Sequence, residues 1–289
     1  MRVLAMSAVF LVAAACATPR VEAQPATKLK IGLPKTMFRD VPAGVMEAAA
    51  IPFRDLFKRQ AGIDGDVELV ETHDSLAAQM KDGKVDVGVF TGYEYAWVKA
   101  AYPEVVPLVL AVPNGRTIQA VLLVNKVSKA EKPADLGGAC VAIPLGTKPH
   151  CHLFIERLRL GLPADCCGAA KMEPKGTDEV LDGLAAGQLT AALVDIAALT
   201  AYEKNKPGAH AQLRVVTKSE VFPPSVVAHR KGLDAGSVSK MHAGLVKAGG
   251  TPQGRAFMML SKMKGFEELP PDFDAELKRI AGAYPPPKQ

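Results

Sequence analysis

Leu76-Ala-Ala-Gln-Met-Lys-Asp-Gly83-Lys-Val-Asp-Val-Gly-Val-Phe90 and Leu181-Asp-Gly-Leu-Ala-Ala-Gly187-Gln-Leu-Thr-Ala-Ala-Leu-Val-Asp195 are two copies of one phrase. Each reads as a helix stopped by glycine, then one polar residue, then a short buried strand. The first strand runs into Thr91-Gly92-Tyr93 and the second ends in Asp195. Two related α/β halves with polar strand ends imply a protein of two lobes that closes on a small ligand.

The regions around each copy extend the pattern. Lys28–Gly32, Val67–Glu71 and Val85–Phe90 read as strands. Helices over Ala48–Gln60 and Ser75–Lys81 separate them, the latter capped by Thr72 or Asp74. Strand–helix–strand at this spacing implies a parallel sheet. Val105–Val112 and Gln119–Asn125 are further strands, and a new α/β round begins at Ala139–Ile143. It continues through a helix at 150–160, a strand at 169–173, a helix at 177–186 and a strand at 189–194. After the strands Leu213–Val216 and Val226–His229 the chain is mainly helical, at Ser237–Ala248, Thr251–Met263 and Asp272–Ala281. The simplest assembly has two crossings. Residues 28–125 and 219–289 form lobe 1, and 126–218 form lobe 2.

The chain has 289 residues, 48% of them apolar, and a formal charge of +5. That is enough for substantial cores. The basic residues are scattered among acids, which gives no nucleic-acid footprint. Arg2 followed by the apolar run Val3–Ala15 and by Val21-Glu22-Ala23 reads as a secretory signal peptide over residues 1–23. Ala13-Ala14-Ala15-Cys16 offers a second reading, a lipoprotein signal that leaves Cys16 lipidated. Either places the mature protein in the periplasm or another extracytoplasmic compartment, free or anchored through Cys16. Disulfides are permitted there. Cys140 opens a strand, and Cys166 and Cys167 precede the next one, so these three lie at one end of the second lobe. Cys151 starts the intervening helix, about 16 Å away along its axis. A disulfide needs Cα atoms within about 7 Å. The expected pair is therefore Cys140 with Cys166 or Cys167, with Cys151 left as a thiol near the cleft.

Several segments together resemble a known family. They are Gly83-Lys-Val-Asp86-Val with Gly92 and Tyr95, Val106-Pro107-Leu108, and Asp135-Leu-Gly-Gly-Ala-Cys-Val-Ala142. Gly187 through Val194-Asp195, Leu213-Arg-Val-Val-Thr-Lys-Ser219 before Pro223, Pro252-Gln-Gly254 and Gly265-Phe266 continue the series. In this order they resemble the phosphate/phosphite/phosphonate-binding proteins of bacterial ABC importers. The resemblance implies a type II periplasmic binding protein fold, two α/β lobes joined by a two-stranded hinge around a ligand cleft. It implies a monomer without a cofactor or catalytic activity that delivers a small anion to an ABC permease in the inner membrane. It also implies that Tyr95 and Asp195 face the ligand. Relatives place a Ser-Thr-Ser-Gly run at the start of the first helix of lobe 2, where this chain has Lys148-Pro149-His150-Cys151. Relatives often carry histidine at the start of the next helix, where this chain has Thr177.

Thr147-Lys-Pro-His-Cys-His152 is thus the most unusual string. It can hold an oxyanion through Thr147, Lys148 and the free N–H groups of the first helical turn. His150, Cys151 and His152 also suit copper or zinc, although their spacing matches no familiar metal motif. A packed Cys151 with partly solvated histidines is the plain structural alternative. An enzyme with Cys151 as nucleophile is disfavoured, since adjacent side chains diverge on a helix. A sensor without transport is a further alternative. Tyr93 and Trp97 share a helix face, the first as a cleft candidate and the second as a core candidate. Phe38 and Arg39 follow the first strand and can close the far side. Asp195 either accepts a ligand hydroxyl or caps the following helix.

Overall fold

The computed structural model describes residues 28–38, 64–162 and 170–287, together with Gly44, Ile51, Pro52, Arg54 to Leu56, Lys58 and Arg59. Residues 1–23, which read as a signal peptide in the sequence, lie outside the described residues, as do Cys16, Arg39, Cys166 and Cys167. The described part of 51–59 is helical, as the sequence implies.

The repeated phrase folds the same way twice. Helix α1 (His73–Lys81) ends at Gly83, φ +72°, and helix α4 (Thr177–Ala185) ends at Gly187, φ +74°. Both glycines occupy the left-handed region that a side chain penalises. In each copy the glycine N–H reaches back to the helix, Gly83 to Met80 O and Gly187 to Leu184 O, both at 3.1 Å. The next N–H does so too, Lys84 to Gln79 O and Gln188 to Gly183 O. This is a Schellman-type stop. It turns the chain into β3 (Val87–Phe90) in the first copy and β8 (Ala191–Asp195) in the second.

Each copy belongs to a different sheet. The first sheet has the order β11 (Met263–Glu267), β4 (Val105–Pro113), β10 (Ser225–Arg230), β3, β1 (Leu29–Pro34), β2 (Gly65–Val70), and the second β7 (Ala170–Glu173), β6 (Val141–Pro144), β8, β5 (Ala120–Asn125), β9 (Leu213–Lys218). β1 (Leu29–Pro34), β2 (Gly65–Val70) and β3 run parallel, while β10 (Ser225–Arg230) pairs antiparallel with β3 and with β4 (Val105–Pro113). In the second sheet β6 (Val141–Pro144) runs parallel to β7 (Ala170–Glu173) and β8. β5 (Ala120–Asn125) lies antiparallel between β8 and β9 (Leu213–Lys218).

Two expectations need correction. The sequence reading put Gln119–Asn125 in the first lobe, but β5 is hydrogen-bonded wholly within the second sheet. The chain changes sheets between Pro113 and Ala120, and again between Lys218 and Ser225. The two connections meet where Ile118 bridges Phe222 antiparallel. Ser219 Oγ accepts Ala120 N–H at 2.9 Å, and Gln119 Nε2 donates to Ser219 O at 2.6 Å. The expected helix over Thr251–Met263 also stops early. Helix α8 (Pro252–Leu260) ends, Lys262 takes φ +52°, and β11 (Met263–Glu267) joins the first sheet as an edge strand.

Three apolar clusters follow from this arrangement. One fills the outer face of the first sheet, with Met241 and Leu245 of α7 (Ala235–Val246) and Phe257 of α8. A second lies with Val180 and Leu184 of α4, with Leu199 and Tyr202 of α5 (Ile196–Asn205), and with Ala209 of the short α6 (Pro207–His210) against it. The third runs through both sheets. It contains Phe90 and Val226 of the first sheet and Leu122 and Ile143 of the second. Tyr93 and Trp97 of α2 (Gly92–Ala101), Cys151, Phe222, and Phe273 and Ile280 of α9 (Phe273–Ala283) also belong to it. The two lobes thus share one apolar seam beside the hinge.

Candidate functional site

The second lobe builds its part of the site at the carboxyl ends of β6 and β8. After Pro144 the chain turns through Gly146, and Thr147 Oγ1 ties the turn by donating to Pro144 O at 2.6 Å. Lys148 is the N-cap of α3 (Pro149–Leu160) and leaves its side chain exposed. Pro149 then starts the helix, where its missing N–H costs nothing. His150, Cys151 and His152 follow, all buried.

His150 meets Asp195 here. His150 Nε2 lies 3.0 Å from Asp195 Oδ2 and 3.4 Å from Cys151 Sγ. Asp195 ends β8 and caps α5, accepting Ala197 N–H on Oδ1 at 2.8 Å. The capping reading of Asp195 therefore holds, and its second oxygen turns to His150. Burial pushes the Cys151 thiol well above its ordinary range, Asp195 adds to the shift, and Lys148 opposes it. A thiol so placed stays protonated and is a poor nucleophile. Cys151 and Asp195 also approach the same nitrogen of His150, whereas a Cys–His relay needs its orienting group on the other one. Among the described residues no group of three or more His, Cys, Asp or Glu could hold a metal ion, so the alternative of His150, Cys151 and His152 gains no cluster.

The first lobe supplies residues outside the sequence candidates, among them His73, which reads in the sequence as part of a solvated helix start and is buried here. Thr36 lies on a 3-10 turn (Lys35–Phe38) after β1, His73 starts α1 after β2, and Glu94 lies in the first turn of α2 after β3. Three adjacent parallel strands thus deliver three polar groups to one edge. Glu94 is 1% exposed. Its Oε2 accepts from Thr91 N at 3.2 Å and Thr91 Oγ1 at 2.8 Å, and its Oε1 accepts from Thr36 Oγ1. His73 Nδ1 faces Glu94 Oε1 at 3.6 Å, beyond hydrogen-bond length. The only sequence signal for this group was a hydroxyl, an imidazole and a carboxylate, each just after a strand.

A row of rings connects the two sides. His73 lies 5.2 Å from Trp97, Trp97 5.1 Å from Tyr93, Tyr93 5.9 Å from Phe222, and Phe222 5.5 Å from His150, centroid to centroid. Phe222 belongs to the hinge, so the row runs from one lobe through the hinge to the other. The turn bearing Thr36 packs against α3 directly.

Not every sequence candidate joins this row. Tyr95 lies on the opposite face of α2 from Tyr93 and Trp97. It is fully buried, stacks on Phe273 and donates its hydroxyl to Val105 O at 3.1 Å. The expectation that it faces the ligand is therefore corrected, because the position points into the core against α9. Phe38 packs with the outer cluster of the first sheet instead of the rings. Thr177 begins α4 after the edge strand β7, half-buried. Arg39 lies outside the described residues. So do Cys166 and Cys167, the expected partners of Cys140; Cys140 itself is exposed.

Two sheets with helices, two hinge connections and polar groups at facing strand ends define a two-lobed periplasmic binding protein of type II. The family of ABC transporter, phosphonate, periplasmic substrate-binding proteins matches over residues 36–272, and the chain belongs to it. No curated protein sequence matches the chain. Among solved structures, PhnD1 from Prochlorococcus marinus in complex with methylphosphonate superposes with a TM-score of 0.60 at 12% identity, covering 89% of this chain and 98% of that one. XAC2383 from Xanthomonas citri bound to ATP gives 0.61 at 17% identity, covering 89% and 96%. A binding protein component of an ABC phosphonate transporter from Pseudomonas aeruginosa gives 0.57 at 14%, covering 87% and 84%. At these identities the likeness is one of fold.

Proposed function

We propose that this chain is the exported solute-binding component of an ABC importer and closes its lobes on a small oxyanion of the phosphonate type. The observation that carries the reading is the pairing of His150, in the first turn of α3, with Asp195 at the end of β8, set against Phe222 of the hinge. The first turn of a helix offers N–H groups and the positive end of its dipole to an anion. Lys148 adds a cation at the N-cap, and His150 replaces the hydroxyls of relatives as a side-chain donor. Asp195 orients the imidazole and accepts a hydrogen bond from the hydroxyl of a monoprotonated oxyanion. Hinge closure buries the ligand and presents both lobes to the permease.

Isothermal titration calorimetry of the mature protein with methylphosphonate, phosphite, phosphate and sulfate tests this. Phosphorus oxyanions should bind with micromolar or tighter dissociation constants, and sulfate, which carries no proton at neutral pH, should bind at least about tenfold more weakly. Lys148→Ala and His150→Ala should each weaken phosphonate binding. No heat with any phosphorus oxyanion, or full affinity in both variants, would overturn the reading.

A further inference from the structure

We propose that one edge of the first lobe, made by α8, the turn after it and β11, docks on a membrane surface that contains anionic lipids. Met259 and Leu260 enter the headgroup region, and Arg255 and Lys262 meet the lipid charges. Lys240 and Lys247 of α7, which packs on the same strand, add to the positive field. The surface lies outside the ligand cleft and is independent of the oxyanion reading.

Residues 235–266 contain no aspartate or glutamate and carry Lys240, Lys247, Arg255, Lys262 and Lys264. All five are exposed. Lys264 pairs with Glu267 at 3.0 Å. Arg255 Nη1 donates to Gly250 O at 3.1 Å, a neutral partner that leaves its charge uncompensated. Lys240, Lys247 and Lys262 have no carboxylate partner among the described residues. Within this basic edge lies Phe257-Met258-Met259-Leu260, a run of four apolar residues. At 3.6 residues per turn such a run covers every side of the helix. Phe257 and Met258 are buried in the core of the first lobe, whereas Met259 and Leu260 are 75% and 71% exposed. Single exposed apolar residues are ordinary on a soluble surface. These two are neighbours, and one turn before them lie Arg255 and Ala256, both exposed. The helix then ends at a firm corner. Lys262 takes φ +52°, its carbonyl accepts Asn114 N–H at 3.1 Å, and the chain reverses into β11, the edge strand.

Charge selects the occupant. A second copy of the chain would set one basic edge against another, which like charges oppose. A bilayer with anionic lipids offers the opposite sign, together with a headgroup region that takes apolar side chains. Each lysine or arginine near such a surface favours binding by about fivefold. Each methionine or leucine taken out of water adds about tenfold. Two of each give reversible docking, not permanent anchoring. In a periplasmic binding protein this surface holds the molecule at the membrane that carries its permease.

Co-sedimentation of residues 24–289 with lipid vesicles tests this, because that chain lacks Cys16 and so cannot be lipidated there. Phosphatidylcholine vesicles with about 30% phosphatidylglycerol should retain the protein at about 0.05 M salt and release it at about 0.5 M. Vesicles of phosphatidylcholine alone should not retain it. Met259→Gln with Leu260→Gln, and separately Arg255→Gln with Lys262→Asn, should each lower the partition coefficient at least about tenfold. Asparagine suits the left-handed backbone at 262. All four positions are exposed, so urea midpoints should stay at the wild-type value. Lys126→Gln with Lys129→Gln removes the same charge from the second lobe and should leave partitioning within about twofold. Absence of binding to the anionic vesicles, equal binding to the neutral ones, or an equal loss in the Lys126 and Lys129 variant would overturn the proposal. So would a dimer in sedimentation equilibrium that Met259→Gln with Leu260→Gln abolishes, since a second copy would then cover this edge.

Discussion

Asp195 divides its carboxylate between two partners, with Oδ1 2.8 Å from the backbone N–H of Ala197 and Oδ2 3.0 Å from Nε2 of His150. One residue thus fixes the start of α5 and the imidazole at the start of α3. The repeated strand β8 sets its position, because the residue after a buried strand emerges at the sheet's carboxyl edge.

These two roles can be separated by substitution. Asparagine caps helices about as well as aspartate, so Asp195→Asn should change unfolding free energy by less than about 0.5 kcal/mol. The same change removes the charge that holds His150, and phosphonate affinity should fall about tenfold, the scale of one charge-assisted hydrogen bond. Asp195→Ala should lose both the affinity and about 1 kcal/mol of stability. Urea unfolding and calorimetry on the pair of variants check this. Full affinity in Asp195→Asn would show that His150 does not depend on the carboxylate.

Gly92 packs against the hinge. A Cβ at this position would lie 2.1 Å from Pro223 O and 2.7 Å from Pro224 O, both backbone atoms of the returning connection. Neither can move without displacing Phe222 or β10. Gly92→Ala should therefore destabilise the protein by at least about 2 kcal/mol, beyond the ordinary helix-propensity gain of alanine. Gly83→Ala, where the surroundings are open but φ is +72°, should cost only about 1 kcal/mol. Comparing their midpoints in urea separates close approach from backbone strain.

The sequence shows the repeated units because their signals are local. Gly83 and Gly187 stop helices within a few residues of the strands they release, and apolar runs mark β3 and β8. The sheet to which β5 belongs is not local. Ala120–Asn125 is an apolar run that would fit either sheet, and only its pairing with Asp195–Ala191 and Leu213–Lys218 decides it. The site divides in the same way. Lys148, His150 and Asp195 stand out because one unusual string and one strand end carry them. Thr36, His73 and Glu94 are spread over 58 residues from first to last, and each alone passes for a solvated loop or cap residue. Tyr95 misleads for a related reason. Its chain neighbours Tyr93 and Trp97 face the hinge, and the helical repeat turns Tyr95 away from them.

The buried thiol at Cys151 predicts a pH dependence of stability. Its folded pKa lies above the ordinary value of 9.0, mainly through burial. A group whose pKa is raised on folding contributes its full stabilisation while the unfolded chain also keeps the proton, below about pH 9. Above that pH the unfolded thiol ionises and the folded one does not. Unfolding free energy should therefore fall from pH 8 to pH 10, and Cys151→Ala should remove part of the fall. Native Cys151 should also react slowly with a thiol reagent at pH 8 and rapidly in denaturant. An identical pH slope in wild type and variant would mean that other groups, such as the buried Tyr95 and Tyr284, account for all of it.

Trp97 should report closure. It is the single tryptophan, it lies between His73 and Tyr93 in tilted and edge-on contacts, and its Nε1–H donates to Tyr284 O at 2.6 Å. Tyr284 in turn packs on Phe222 at 4.8 Å and accepts Glu220 N–H on its hydroxyl at 3.4 Å. The next carbonyl, of Pro285, accepts from Arg157 of α3 in the other lobe. Tyr284 and Pro285 thus connect lobe 1, the hinge and the helix whose start carries His150. Ligand binding should change Trp97 fluorescence by altering its His73 and Tyr93 neighbours. Arg157→Ala removes the strap to lobe 2 without touching the site. It should leave the amplitude of the fluorescence change intact and raise the ligand dissociation rate about three- to tenfold, since a contact between the lobes acts on release more than on encounter. Stopped-flow fluorescence measures both. An unchanged dissociation rate would show that the Arg157–Pro285 contact does not hold the lobes together.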